Sequence, residues 1–116
     1  MTESDPNGTQ PHEAGAKLDA GKPMIGLVMA PFGLALREVA KVGTYGAKKY
    51  SRNGWESVPD GVNRYTDAMY RHLLIEHQQR LDADTNIMHA AHAAWNALAR
   101  LELMLREVEI NHVIER

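Results

Sequence analysis

Residues 71–108 read RHLLIEHQQRLDADTNIMHAAHAAWNALARLELMLREV. Their C-terminal half carries Ala91, Ala94, Leu98, Leu101, Leu105 and Val108 at alternating steps of three and four. That is the spacing of a helix-packing seam, and it predicts a helix over about 86–109. The N-terminal half completes a second helix that begins near Val62 and runs to Leu81. "DADTN" separates the two, with Asp84 or Thr85 suited to cap the later helix. A break this short makes the helices antiparallel neighbours.

Upstream, Pro31 suits the first turn of a helix. Leu34, Val39, Val42 and Tyr45 then carry helical spacing toward Lys49, while Gly43 and Gly46 weaken that helix. "SRNGWESVPDG", residues 51–61, reads as a loop, with turn signals at Asn53-Gly54 and Pro59-Asp60-Gly61. Residues 17–31, "KLDAGKPMIGLVMAP", read as an arm leading into a short apolar segment. Residues 1–15 are polar and rich in Gly and Pro, so we expect a disordered tail there and one domain over 16–116. The class is all-α. Three main helices with so long a seam seldom close a core alone, so a bundle completed by a second copy is expected, as a dimer or tetramer.

The 116 residues hold 44% hydrophobic side chains, enough for a core, but only one Phe and two Trp. Lys plus Arg is 13 and Asp plus Glu is 15, a net charge of −2. That lacks the basic field of a nucleic-acid binder. Cysteine is absent, so disulfides and thiolate metal sites are excluded. No apolar run approaches the ~18–20 residues of a membrane span, and the N-terminus lacks the pattern of a signal peptide. A cytoplasmic protein is the expectation.

The same stretch holds a dense set of metal-capable side chains. His72, Glu76 and Gln79 stand at i, i+4 and i+7, so they share one face of the second helix. His89, His92 and Asn96 stand at i, i+3 and i+7 on the third, with Asp82 and Asp84 in the turn between. Facing each other, the two helices would enclose a mixed nitrogen and oxygen donor set. Such a set takes Mg²⁺ if carboxylates dominate, and Mn²⁺ or Co²⁺ if histidines do. The bland reading is that HxxH is a weak pattern, that Gln79 and Asp84 are a surface residue and a cap, and that His12 and His77 are solvated. His112 would then serve the helix dipole. Glu38 lies on an apolar stripe between Leu34 and Val42, where a carboxylate needs a partner, and a metal would serve. Lys48 and Lys49 either complement a helix C-terminus or bind phosphate oxygens, with Tyr50, Asn53 and Trp55 available for a base or sugar.

"KLDAGKP", "REVAKVGTYGAKKY" with a following Asn and Trp, "YRHL" and "DADTNIMHAAHAAWNAL" occur in one order across about 17–101. In these motifs the chain resembles a phage-encoded family of dATP/dGTP diphosphohydrolases, related to the MazG-like all-α nucleotide pyrophosphohydrolases. Two differences stand out. The family usually carries Gly-Glu ahead of the Asp that matches Asp82, where this chain has Gln79, and Glu76 is the nearest substitute. Gly54 also separates Asn53 from Trp55. A clean ExxE–ExxD pair is absent, which leaves a ligand set richer in histidine.

The resemblance implies hydrolysis of a purine (deoxy)nucleoside triphosphate, dGTP or GTP foremost, to the monophosphate and pyrophosphate. Phage relatives supply dGMP for 2-aminoadenine nucleotides, and a phage-encoded enzyme would work in the host cytoplasm. Mg²⁺ or Mn²⁺ held by Glu38, His72, Glu76, Asp82, His89 and His92 would neutralise the triphosphate and acidify a water. Glu76 or His72 would take the proton, with Glu38 also at the reacting centre. Lys48, Lys49 and Arg71 would stabilise the leaving pyrophosphate, and Asn96 or Trp95 would line the base pocket. A triphosphohydrolase of the HD type is disfavoured because no His-Asp dipeptide occurs. The other alternative is a non-catalytic helical adaptor whose interface is the seam.

Overall fold

The computed structural model describes residues 2–115, with side chains to Val108. His112 therefore lies outside the side chains described. The backbone forms α1 (Ile25–Met29), a 3₁₀ turn (Ala30–Phe32), α2 (Gly33–Lys49), a second 3₁₀ turn (Gly54–Ser57), α3 (Gly61–Ile75) and α4 (His89–Glu115). The class is all-α. By contact the chain divides into two units, Met1–Phe32 and Gly33–Arg116.

In the first unit the chain folds back on itself. The Asp5 carboxylate accepts the N–H groups of Asn7 at 2.7 Å and Lys17 at 2.8 Å. The N–H of Ala20 donates to the Ser4 carbonyl at 2.9 Å. α1 presents Ile25, Leu27 and Val28 to solvent.

In the second unit α3 and α4 run antiparallel. Three cross-contacts define the pairing: Gly61 against Leu103, Thr66 with Arg100, and His72 with His89. Gly61 is buried where the backbone of α3 approaches Leu103. Arg100 Nε donates to Thr66 Oγ1 at 2.8 Å, while Thr66 Oγ1 bonds back to the Val62 carbonyl at 2.6 Å. α2 meets α4 through Val42, its one buried residue, and through Gly43, where a Cβ would lie 3.2 Å from Trp95 Nε1. Gly43 thus weakens the helix locally but admits the Trp95 ring.

Two expectations are corrected. The second helix ends at Ile75, not Leu81, and the third starts at His89, not near 86. Gln78 and Gln79 are good helix formers, but tertiary pairing overrides them. The Arg80 carbonyl accepts His89 N–H at 3.0 Å, Asp82 N–H donates to Ile87 at 2.8 Å, and Leu81 bridges Met88. Continuing α3 would forfeit these bonds. Neither Asp84 nor Thr85 caps α4. Asp82 turns the loop instead, accepting three bonds on Oδ1 from Asp84 N–H, Thr85 N–H and Thr85 hydroxyl.

The seam read from the sequence is also not the face that packs within the chain. Ala91 is buried, but Leu98, Leu101 and Leu105 are about half exposed, at 53%, 50% and 55%. The inward face of α4 instead carries His89, His92, Ala93, Asn96 and Ala99, again at helical spacing. Its N-terminal part is polar, which a purely apolar criterion cannot register.

Candidate functional site

α3, α4, the end of α2 and the loops around them enclose one cavity of about 1010 Å³. On α3, Arg64, Asp67, Ala68, Arg71 and His72 face it at spacings of three and four, the geometry of a single helix face. α4 contributes His92, Trp95 and Asn96; the α3–α4 loop contributes Asp82, Asp84 and Thr85. Lys49, Tyr50, Asn53 and Trp55 close the side nearest α2.

The imidazoles converge at one end. His72 Nδ1 lies 2.8 Å from His89 Nδ1, and the His72 ring stacks on His92 at 4.6 Å and 9°. His72, Asp82 and His89 each offer a donor atom within 4.8 Å of the other two. The backbone pairing of the loop explains this convergence: the Leu81–Met88 bridge sets Asp82 beside the first turn of α4. Thr85 joins the parts, its hydroxyl 3.2 Å from Asp82 Oδ1 and 2.8 Å from His92 Nε2.

Burial pushes the His72 imidazole below its ordinary value, and the neighbouring His92 and His89 push the same way. Burial also lowers His92, against the pull of Asp82. For Asp82 burial works upward, but the Thr85 and Asp84 hydrogen bonds prevail and hold its carboxyl below the usual range. His72 and His92 are thus held toward the neutral ring and Asp82 toward the ionised carboxylate, the forms that ligate a cation.

His89 is 3% exposed, and its Nε2 is buried without a hydrogen-bond partner among the described residues. Two nitrogens facing at 2.8 Å hold one shared proton or, with it displaced, a cation. By geometry and donor chemistry these residues fit a divalent ion.

Another part of the lining is aromatic. Trp95 meets Trp55 edge-on at 6.0 Å and Tyr65 at 5.7 Å. Such pairs contribute about 0.5–1.5 kcal/mol each beyond burial. Tyr65 hydroxyl donates to the Trp55 carbonyl at 3.1 Å, and Arg106 lies 5.4 Å over the Trp55 ring while pairing with Glu56 at 3.3 Å. Asn96 Nδ2 donates to the His92 carbonyl at 2.8 Å, which turns the other amide atom, the acceptor Oδ1, away from that bond. Lys49 Nζ stands 5.2 Å from the Tyr50 ring centre, and the Tyr50 hydroxyl holds its ammonium above the usual lysine value.

Of the residues singled out from the sequence, the structure brings together His72, Asp82, His89 and His92, with Asn96, Arg71, Lys49, Tyr50, Asn53 and Trp55 around the same cavity. Three stand apart. Glu38 lies off the cavity wall and pairs with Lys41 at 2.8 Å. Lys48 lines a separate shallow hollow with Arg37 and Lys41. Glu76 caps the end of α3 through its backbone and is outside the donor group. Arg64, Asp67 and Thr85 line the cavity and were not anticipated. The helical spacing of Arg64 and Asp67 from Arg71 carried a usable signal; Thr85 had none, because its role depends on how the loop closes.

The chain is a member of the family described as dATP/dGTP diphosphohydrolase, N-terminal, whose model matches residues 12–113. A particular relative, the dATP/dGTP diphosphohydrolase of Salmonella phage PMBT28, is 38% identical over 81 residues. Those residues are 69% of this chain and 26% of the relative, so the chain spans well under half the length of the protein it matches. No solved structure matches the chain.

Proposed function

We propose that the chain is a metal-dependent pyrophosphohydrolase of purine deoxynucleoside triphosphates, dGTP foremost, and that it is related to the MazG-like enzymes. The reading is supported by family membership and by the name of the phage relative. The observation that carries it is one cavity whose lining joins His72 and Asp82 of the cation-fitting group to the aromatic cluster of Trp55, Tyr65 and Trp95. A nucleoside triphosphate needs that pairing, a charged end for phosphates and a flat apolar surface for a base.

His72, Asp82 and His89 would hold a divalent ion, Mg²⁺ or Mn²⁺, which supplies charge neutralisation and an acidified water when bound. The guanidinium of Arg71 and the ammonium of Lys49 reach the same space and stabilise charge on the departing pyrophosphate. Asp67, on the same face of α3, would take a proton from an attacking water. Trp95 offers a ring for the base and Asn96 Oδ1 an acceptor for an exocyclic amine. Glu38, Lys48 and Glu76, given roles from the sequence, have none in this reading because they sit elsewhere. The cytoplasmic location and a supply of dGMP for 2-aminoadenine nucleotides belong to the same proposal.

We infer also that the working form is a homo-oligomer, dimer or tetramer. Among the described residues no large side chain is fully buried, while Leu98, Leu101, Leu105 and Val108 stand exposed along α4. A 12.9 kDa chain with so little of its apolar surface covered needs a partner surface. No described helix is long and apolar enough to cross a membrane.

Product analysis tests the activity. Purified protein with each dNTP and NTP, in Mg²⁺ and in Mn²⁺, is expected to release monophosphate and pyrophosphate from dGTP or dATP. Nucleoside with triphosphate, or stepwise orthophosphate, would contradict it. Asp67→Asn is expected to lower kcat by at least about 100-fold with the helical signal unchanged.

A further inference from the structure

The donor corner differs from an oxygen site, and the difference has a consequence for the ion. We infer that His72, His89 and Asp82 form a two-imidazole, one-carboxylate centre that selects a first-row transition ion, of the Mn²⁺ or Co²⁺ kind, over Mg²⁺. The inference rests on the metal-dependent reading above, and it names which ion that reading requires.

Three observations carry it. The first is donor identity. Two of the three groups are imidazoles, and nitrogen donors favour transition ions, whereas Mg²⁺ keeps oxygen ligands and its own waters. The second is geometry. The two Nδ1 atoms are 2.8 Å apart. Two nitrogens bound at right angles to one ion, at roughly 2.1 Å each, are about 3.0 Å apart. The pair is thus close enough to share one cation after a small adjustment. The third is a buried ring left unpartnered. His89 is 3% exposed, and apart from its contact with His72 its ring has no other hydrogen-bond partner among the described residues.

Asp82 is already oriented, because its three hydrogen bonds all fall on Oδ1. Oδ2 takes no part in that turn. Thr85 ties Asp82 to His92, whose ring stacks on His72 and holds its plane. Partners of this kind fix ligand direction and contribute about 10–100-fold to metal affinity. His72 and Asp82 also line the cavity, so an ion they held would be reachable from it by phosphate oxygens and water.

The test uses the intact chain, freed of metal by chelation. Calorimetric titration with MnCl₂, CoCl₂ and MgCl₂ measures affinity, thermal unfolding measures stabilisation, and the visible absorption of Co²⁺ reports nitrogen ligation. Mn²⁺ and Co²⁺ are expected to bind at least about tenfold more tightly than Mg²⁺. His72→Asn, at a half-buried position, and Asp82→Asn are each expected to weaken Mn²⁺ by at least about tenfold with the helical signal intact. Equal affinity for Mg²⁺ and Mn²⁺, or unchanged Mn²⁺ affinity in folded His72→Asn, overturns the inference. His89→Gln is expected to lose the Co²⁺ bands, and retention of those bands in that variant overturns it too. Deoxynucleotide hydrolysis on the same samples separates the two claims. Selective Mn²⁺ binding without turnover supports the centre and removes the hydrolase. Turnover in Mg²⁺ that His72→Asn leaves unchanged removes the centre and keeps the hydrolase.

Discussion

Tyr65 shows how one side chain holds the cavity wall. Its hydroxyl donates to the Trp55 carbonyl, and its ring meets Trp95 edge-on. Tyr65→Phe keeps the ring and removes the bond, at an expected cost of about 1 kcal/mol in urea unfolding. Burial raises the Tyr65 phenol above its ordinary value. The folded state therefore resists deprotonation more than the unfolded chain does. The contribution is fully present below the unfolded value of about 10 and is lost as pH rises through the folded value. The stability gap between the wild type and Tyr65→Phe is expected to close above that range, and a gap that persists or widens would refute the assignment. At this level the site was partly legible. The positions of His72, His89 and Asn96 on facing helix surfaces could be read from helical spacing, whereas Asp82 could only be placed in the turn between, where loop pairing sets it. Glu38 lies outside the cavity lining, and its buried Oε2 faces Lys41 in an ion pair at 2.8 Å; an apolar stripe does not say which neighbour covers it.

The α3–α4 loop is the element on which the donor corner depends. The sequence marks its presence through "DADTN" but not its extent, because Gln78, Gln79 and Arg80 all favour helix. What ends α3 is pairing with residues 87–89, a tertiary event invisible to local propensity. Asn86 makes the turn possible. Its φ is 59°, in the left-handed region, and its N–H donates to the Asp82 carbonyl at 2.8 Å. Asn tolerates that conformation better than most residues, and Gly better still. Asn86→Ala is expected to cost about 1–2 kcal/mol and to weaken Mn²⁺ binding, while Asn86→Gly stays close to wild type. Equal stability of the two variants by urea titration would show that the loop does not depend on this backbone geometry.

Among the described residues the leucines of α4 stand half exposed, and the proposed oligomer would cover them. The all-α class and the three long helices were legible because their periodicity extends over many turns. The role of the α4 seam was not, since the same spacing serves an intramolecular core or a partner helix equally well. The exposure of Leu98, Leu101 and Leu105 favours the partner. Light scattering coupled to size exclusion is expected to give a dimer or tetramer of the 12.9 kDa chain. Leu101→Lys with Leu105→Glu is expected to yield monomer with a lower unfolding temperature. A wild-type monomer that unfolds cooperatively would refute the oligomer.

The function itself is decided by where a nucleotide lies. A crystal structure with Mn²⁺ and a non-hydrolysable α,β-imido analogue of dGTP places both partners at once. The cation is expected among His72, Asp82 and His89, the α-phosphate beside it, and the purine against Trp95. A nucleotide bound outside this cavity, or a cation coordinated without any of those three residues, would contradict it.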